Sequence, residues 1–157
     1  MDVNTIAPMV LTLQVLPDML KRNRGHICNI ASAGGMLGNP KMSVYGASKW
    51  AVIGWSESMR IELQQRKANV HVTTVAPYFI STGMFQGVRS IFPILKPEPT
   101  AKKIIRAIER NTIFAGIPFG YHFIRFWQAI LPLRVFDWLF GTVFGIYRTM
   151  DHFTGRK

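Results

Sequence analysis

The sequence predicts an α/β fold in which parallel strands are joined by crossover helices. Short β-branched segments alternate with segments of helical periodicity along the chain, an order typical of a parallel sheet covered by helices. The composition agrees with a folded protein, since 48% of the residues are hydrophobic and 17% are charged, which excludes a disordered chain. The length of 157 residues suits one compact domain.

Three helices and three strands are predicted before the C-terminal segment. The strands are short, apolar and rich in β-branched residues; they are 26–31, 70–76 and 113–116. The helices repeat apolar residues at helical spacing; they are 2–22, 44–67 and 99–110. Pro8 and Pro17 predict a kink or a break in the first helix. Glycine and proline predict loops over 33–43 and 78–97.

The composition changes after the third strand. Twelve of the 19 aromatic residues lie between Phe114 and Phe153, and no apolar run here reaches the roughly 20 residues that a spanning helix needs. Two interpretations stay open. We favour an interfacial helical hairpin that dips into a bilayer, with arginines at its rim, because Trp, Phe and Arg suit an interface. The alternative is a pair of helices that packs on another domain or subunit.

The charge of the chain limits its partners. Lys and Arg number 19 and Asp and Glu number 8, for a net charge of +11. This excess permits nucleic acid, an anionic membrane surface or an anionic cofactor. No helix-turn-helix or RNA-binding motif is present, so we expect no nucleic acid. The four histidines lack metal-ligand spacing, so we assign no metal site. The first residues lack the features of a signal peptide, and the single cysteine fits a reducing compartment.

Tyr45 and Lys49 are candidate catalytic residues. Their i, i+4 spacing places both side chains on one face of the second helix. An ammonium near a phenol favours the phenolate and lowers its pKa, which makes tyrosine a usable acid or base near neutral pH. Taken alone, such a pair is common on solvated helix faces.

Ser32 strengthens the assignment because it closes the first strand, 13 residues before Tyr45. The carboxyl end of a parallel strand borders the crevice where α/β folds bind ligands. A serine hydroxyl there can bind a substrate carbonyl while Tyr45 supplies the proton.

Together these residues resemble the short-chain dehydrogenase/reductase superfamily. The matching elements stand in the family's order and spacing; they are Asn4 on a helix, N-I-A-S at 29–32, Y-G-A-S-K at 45–49 and P-Y-F-I-S-T at 77–82. The resemblance implies the C-terminal part of a Rossmann-like, doubly wound parallel sheet, with about three strands, flanking helices and an apolar C-terminal helical segment. It also implies an oxidoreductase that uses NAD or NADP.

The resemblance implies a role for each matching residue. Tyr45 would be the catalytic acid/base, and Lys49 would bind the nicotinamide ribose and depress the pKa of the tyrosine. Ser32 would orient the substrate carbonyl, and Asn4 would hold a water in a proton relay. The residues that would line the nicotinamide end of the cofactor are Pro77, Ile80 and Thr82.

One branch of the superfamily is especially similar. The stretches 80–89, 95–108 and 150–157 resemble the membrane-associated retinol dehydrogenases and retinaldehyde reductases, with related hydroxysteroid dehydrogenases. This implies a lipophilic alcohol, ketone or aldehyde, retinoid-like or steroid-like, as substrate. It also fits the aromatic C-terminal segment, for which we expect peripheral membrane contact through 118–147 and a location on the cytoplasmic side.

Two departures from the family qualify these expectations. Tyr78 stands where the family usually shows glycine. The sequence also contains neither the glycine-rich turn that cradles the pyrophosphate nor the residue that selects NAD or NADP. We therefore interpret 1–117 as the catalytic portion of a domain without its nucleotide-binding half, and 118–157 as a separate apolar segment.

The missing half has two expected consequences. The first strand keeps an unpaired edge that favours association with another copy or with the missing half, and this chain alone would bind NAD(P)H weakly. The alternative function is a truncated, catalytically silent fragment that acts as a membrane-binding or dimerisation module.

Overall fold

A computed structural model describes residues 1–155, so the last two residues of the stretch 150–157 lie outside it. The three strands are β1 (Gly25–Ile30), β2 (Val70–Pro77) and β3 (Phe114–Ile117). They form one parallel sheet in the order β1-β2-β3, with Ile30 paired to Val75. The predicted α/β class with a parallel sheet is confirmed.

Three helices accompany the sheet, within a few residues of the predicted bounds; they are α1 (Ala7–Lys21), α2 (Ser43–Gln65) and α3 (Pro97–Glu109). The predicted irregularity in the first helix is a π-helical turn, Asp2–Ile6, before α1. Pro8 has no N–H to donate to the carbonyl of Asn4, and the wider turn accommodates that gap. Pro17 lies inside α1, which continues through it.

The C-terminal segment consists of short helical pieces instead of two long helices. They are a 3-10 helix (Phe119–Phe123), α4 (Ile124–Ile130), α5 (Leu133–Phe136), a π-helical turn (Asp137–Val143) and a 3-10 helix (Ile146–Arg148). Pro132 separates α4 from α5, and Gly145 has a φ of 64° that ends the π-helical turn.

This segment packs against the rest of the chain. Its buried side chains join the same hydrophobic core as the loop after β1; they are Tyr121, Ile124, Phe136, Ile146 and Met150. Hydrogen bonds attach it to that loop, among them one from Asn39 Nδ2 to Thr149 Oγ1 at 2.8 Å and one from Gln128 Nε2 to the Met36 carbonyl at 2.7 Å. This packing within the chain differs from both predicted arrangements, a hairpin in a bilayer and a pair of helices on another domain or subunit.

The opposite side of the molecule is uncovered in the described residues. β1 is an edge strand, and the apolar side chains of α1 at Leu11 and Leu13 are 62% and 68% exposed. Within residues 1–155, one helical stretch, Asp2–Lys21, is long and apolar enough to cross a membrane by length and composition, a test that core helices also pass. The edge of β1 and the exposed apolar surface of α1 are available for packing against further structure.

Candidate active site

A cleft of about 270 Å³ opens at the carboxyl ends of β1 and β2, the edge at which parallel sheets bind ligands. Six of the seven predicted site residues line it; they are Ser32, Tyr45, Lys49, Pro77, Ile80 and Thr82. Asn4 does not line the cleft. Side chains that are far apart along the chain therefore converge because parallel strands end at one edge of the sheet.

Tyr45 and Lys49 lie one turn apart at the start of α2. The Lys49 Nζ is 5.9 Å from the centroid of the Tyr45 ring. The same ammonium donates a hydrogen bond of 3.0 Å to the carbonyl of Ile30, the last residue of β1. Lys49 thereby connects α2 to the end of β1 and keeps its charge beside the cleft.

Burial shifts the pKa values of both groups toward their neutral forms. It raises the pKa of the Tyr45 phenol, and a hydrogen bond with Ser32 opposes part of that rise. It lowers the pKa of Lys49. The sequence led us to expect that the ammonium lowers the pKa of the phenol. In the structure the phenol shifts the other way, because removing a phenolate from water outweighs the stabilisation it receives.

Ser32 lies just beyond β1 in an extended conformation. Its hydroxyl accepts a hydrogen bond of 3.1 Å from the Gly34 N–H and so caps the short 3-10 helix Ala33–Gly35. A Cβ atom on Gly34 would be 3.5 Å from Cε1 of Tyr45 and 3.6 Å from Oγ of Ser32. The two hydroxyl-bearing side chains thus border the same small space.

Asn4 is connected to Tyr45 through Ser48, a residue for which the sequence predicted no role. Its Nδ2 donates to the Ser48 hydroxyl at 3.1 Å, and that hydroxyl donates to the Tyr45 carbonyl at 2.6 Å. The neighbouring Thr5 hydroxyl donates to the Ser48 carbonyl at 3.1 Å. Ser48 is the fourth residue of the Y-G-A-S-K motif, so the sequence indicated its place on α2. The sequence did not indicate that its hydroxyl contacts Asn4.

Gly35 allows α2 to approach the turn after β1 closely. A Cβ atom at Gly35 would be 2.8 Å from the backbone carbon and oxygen of Lys49, closer than van der Waals contact permits. A side chain here would displace either the turn or the helix that carries Tyr45 and Lys49.

The far wall of the cleft is aromatic and was not predicted. Tyr78, Phe79 and Phe85 come from the loop after β2, and Tyr121 comes from the C-terminal segment. The Tyr78 hydroxyl forms a hydrogen bond of 2.7 Å with the Ser90 hydroxyl. Tyr78 thus places a buried ring at the position where short-chain dehydrogenases/reductases usually have glycine. The high number of aromatic residues after the third strand indicated an apolar surface, but it did not indicate which of these side chains line the cleft.

Comparison with known proteins gives a consistent match. Residues 1–91 match the family described as short chain dehydrogenase. The epidermal retinol dehydrogenase 2 of Mus musculus is 37% identical over 161 residues, which cover 99% of this chain and 52% of that protein. The chain thus spans about half the length of the curated relatives it matches.

Solved structures share the fold. A short chain dehydrogenase from Burkholderia cenocepacia J2315, in complex with NADP, aligns with a TM-score of 0.67 at 25% identity, covering 82% of this chain and 52% of that one. A 4-hydroxyisoleucine dehydrogenase complexed with NADH aligns with a TM-score of 0.62 at 28% identity, covering 74% and 55%.

Proposed function

This chain belongs to the short-chain dehydrogenase family, and on that basis we propose that it is the catalytic portion of an NAD(P)-dependent oxidoreductase that interconverts an alcohol with an aldehyde or ketone. One observation carries the proposal: Ser32, Tyr45 and Lys49 line one cleft at the carboxyl edge of the sheet. This arrangement supplies a hydroxyl to bind the substrate oxygen, a proton donor and a cation.

The residues present fit the nicotinamide end of NAD or NADP. Lys49 and Tyr45 would hold the ribose, and Pro77, Ile80 and Thr82, which line the same cleft, would border the nicotinamide. When bound, the cofactor supplies or accepts the hydride at the carbon that bears the substrate oxygen.

The protein supplies the proton and the orientation. The Ser32 hydroxyl binds the substrate oxygen, and the phenol of Tyr45, kept protonated by burial, gives its proton to that oxygen during reduction. During oxidation the proton returns to Tyr45, and the Lys49 ammonium stabilises the phenolate. Asn4 and Ser48 position the helical turn of Tyr45 through the hydrogen bonds described above.

The substrate we propose is lipophilic, retinoid-like or steroid-like. Support comes from the aromatic wall of the cleft, formed by Tyr78, Phe79, Phe85 and Tyr121, and from a relative that is a retinol dehydrogenase. An apolar body gains free energy by leaving water against such a wall.

Substitution of Tyr45 tests the catalytic assignment. In the full-length protein, Tyr45→Phe removes the proton donor and should lower turnover by about a hundredfold or more. Tyr147→Phe makes the same chemical change outside the cleft and serves as the control. Oxidation of NAD(P)H with a long-chain aldehyde, followed by absorbance, provides the measurement. Near wild-type turnover by Tyr45→Phe would show that the assignment is wrong.

We also propose peripheral contact between 118–147 and an anionic membrane on the cytoplasmic side. The inner side chains of this segment are buried, whereas Phe119, Leu133 and Trp138 are 71%, 74% and 60% exposed. The chain's net charge of +11 adds attraction to anionic lipid.

Flotation with vesicles of anionic phospholipid tests the membrane proposal. Deleting the segment would expose the core, so point changes are preferable. Leu133→Glu combined with Trp138→Glu should abolish flotation, and Ile105→Glu, at an exposed position on α3, should preserve it. Equal flotation of all variants would contradict the proposed contact.

The uncovered edge of β1 and the exposed apolar side chains around α1 favour a second candidate, a module that associates with another copy. Apolar side chains at Leu11 and Leu13 and an unpaired strand edge promote association. Light scattering on the purified chain should show a dimer that Leu11→Glu and Leu13→Glu dissociate. A monomer at all concentrations would exclude this module.

A further inference from the structure

Residues 149–154, which we call the strap, connect two loops that border the catalytic cleft. The loop after β1 lines the cleft with Asn39, and the loop after β2 lines it with Phe85. The strap forms hydrogen bonds with both loops. A segment that is bonded to both sides of a cleft restricts how far those sides can separate.

The contacts of the strap with the loop after β1 involve two side chains of that loop. Asn39 Nδ2 donates to Thr149 Oγ1 at 2.8 Å, and Lys41 Nζ donates to the Met150 carbonyl at 3.3 Å. The Lys41 ammonium also lies 3.8 Å from a carboxylate oxygen of Asp151. Thr149 and Met150 are only 2% and 3% exposed, so the first residues of the strap are anchored in the core.

The contacts of the strap with the loop after β2 are made by the backbone. The Arg89 N–H donates to the Thr149 carbonyl, and the Thr154 N–H donates to the Gln86 carbonyl, both at 3.1 Å. Residues 81–90 contain no helix or strand, so their backbone groups need partners outside regular structure. The strap supplies two of these partners.

Gly87 allows the strap to lie directly on the loop after β2. Its φ is 82°, and a Cβ atom there would overlap the carbonyl oxygen of His152 in the strap. Gly83 lies in the same loop with a φ of 84°, but a Cβ atom there would meet nothing within 4 Å. The two glycines therefore share a backbone conformation, and of the two it is Gly87 that contacts the strap.

An aromatic contact extends from the strap to the proposed proton donor. The centroid of the Phe153 ring lies 6.3 Å from that of Phe85. The Phe85 ring in turn packs edge-on against the Tyr45 ring, with centroids 6.2 Å apart. Phe85 is therefore held between the strap and Tyr45, and its place in the cleft depends on Phe153.

We propose that Phe153 and Gly87 are positioning residues, through which the strap holds the loop after β2 in its substrate-binding position before substrate arrives. This rests on the proposed function, because it requires that substrate binds in the cleft. A loop that is already held loses little conformational freedom on binding, whereas a released loop must be ordered at the expense of affinity. The strap therefore lowers KM, and it leaves kcat nearly unchanged because the bound geometry is the same.

Replacing the two glycines separates the strap from backbone strain. Gly87→Ala and Gly83→Ala both place a side chain at a φ that favours glycine, but Gly87→Ala also displaces the strap. In the full-length protein, with NADPH and all-trans-retinal as substrates, Gly87→Ala should raise KM for retinal about tenfold above that of Gly83→Ala. The kcat values of the two variants should agree within about twofold. Equal KM values, or a loss confined to kcat, would overturn the proposal.

Substitution of Phe153 tests the aromatic contact. Phe153→Ala removes the ring behind Phe85 and should raise KM for retinal, whereas Phe153→Tyr keeps the ring and should restore the original KM. Phe126→Ala removes an exposed ring on α4 that does not line the cleft, and it serves as the control. Equal KM values for Phe153→Ala and Phe153→Tyr would show that the ring does not position Phe85.

Hydrogen exchange tests the strap without turnover. Backbone amides of 83–89 should exchange faster in Gly87→Ala than in Gly83→Ala, and the amides of β2 should exchange equally in both. Equal exchange over 83–89 would contradict the proposal. If the unmodified protein did not reduce retinal with either NADH or NADPH, that result would refute the proposed function instead, and the exchange comparison would still test whether the strap holds the loop.

Discussion

The side-chain amide of Asn4 donates a hydrogen bond of 3.1 Å to the hydroxyl of Ser48, 44 residues further along the chain. The same hydroxyl donates to the carbonyl of Tyr45 at 2.6 Å. The π-helical turn before α1 is thus connected, through one serine that is 1% exposed, to the backbone of the proposed proton donor.

Removing the Ser48 hydroxyl should lower the rate of catalysis more than the stability of the fold. Ser48→Ala leaves the Asn4 amide without its acceptor, so we expect a loss of about 1 kcal/mol in unfolding free energy and a lower kcat with a smaller change in KM. Ser58→Ala on the same helix removes an exposed hydroxyl bonded to the Gly54 carbonyl and is the control. Steady-state kinetics and urea unfolding provide the measurements; equal kinetics for the two variants would refute a positioning role for Ser48.

The close approach at Gly35 gives a second prediction. Gly35→Ala places a Cβ atom 2.8 Å from the Lys49 backbone, so the helix or the turn must move and the unfolding free energy should fall by about 1–3 kcal/mol. Gly38→Ala, where a Cβ meets nothing within 4 Å, should be nearly neutral. Thermal unfolding of both variants measures the difference, and similar midpoints would show that the turn adapts freely.

Two neighbouring phenols should respond oppositely to the same substitution. Tyr78→Phe removes a hydrogen bond to Ser90 and should cost about 1 kcal/mol of unfolding free energy. Tyr121→Phe removes a buried hydroxyl that, apart from its interaction with the Tyr78 phenol, has no hydrogen-bond partner within residues 1–155, and it should leave stability equal or higher. Urea unfolding of the full-length protein without substrate tests this, and a larger loss for Tyr121→Phe would reveal a partner that the structure does not contain.

Stability should fall at high pH, partly because of Tyr147. Burial first, and then the hydrogen bond and charge of Asp137, raise its pKa to about 12, above the value of about 10 for an unfolded chain. Its protonated form therefore contributes fully below pH of about 10, and that contribution is lost as the pH rises toward 12. Unfolding free energies measured across this interval should decline less in Tyr147→Phe than in the unmodified protein. Parallel declines would contradict the raised pKa.

Much of the fold followed from local sequence. Short β-branched runs and helical periodicity located β1, β2 and α2 to within a few residues, because backbone preference and one-sided burial act over neighbouring positions. The i, i+4 geometry likewise placed Tyr45 and Lys49 on one face of α2. The strand ends placed Ser32 and Pro77 at one edge of the sheet because parallel strands point the same way.

The C-terminal segment shows where local sequence stops being informative. Its aromatic residues indicated an apolar surface but not whether that surface faces lipid, another chain or the protein's own core. Only the tertiary structure shows Tyr121 and Ile146 at the cleft, with Asn39 bonded to Thr149 across 110 residues. Contacts between residues so far apart in sequence form only when the chain folds, and composition does not specify them.

By itself, then, the sequence determined the parallel α/β class through its periodicity, and the resemblance of its motifs to a known family predicted the trio Ser32, Tyr45 and Lys49. The tertiary structure alone decided that Ser48 links Asn4 to Tyr45, that burial raises the pKa of Tyr45, and that Tyr121 of the C-terminal segment lines the cleft. Each of these features depends on which atoms surround a side chain, and those surroundings form only when segments that are distant in sequence pack together.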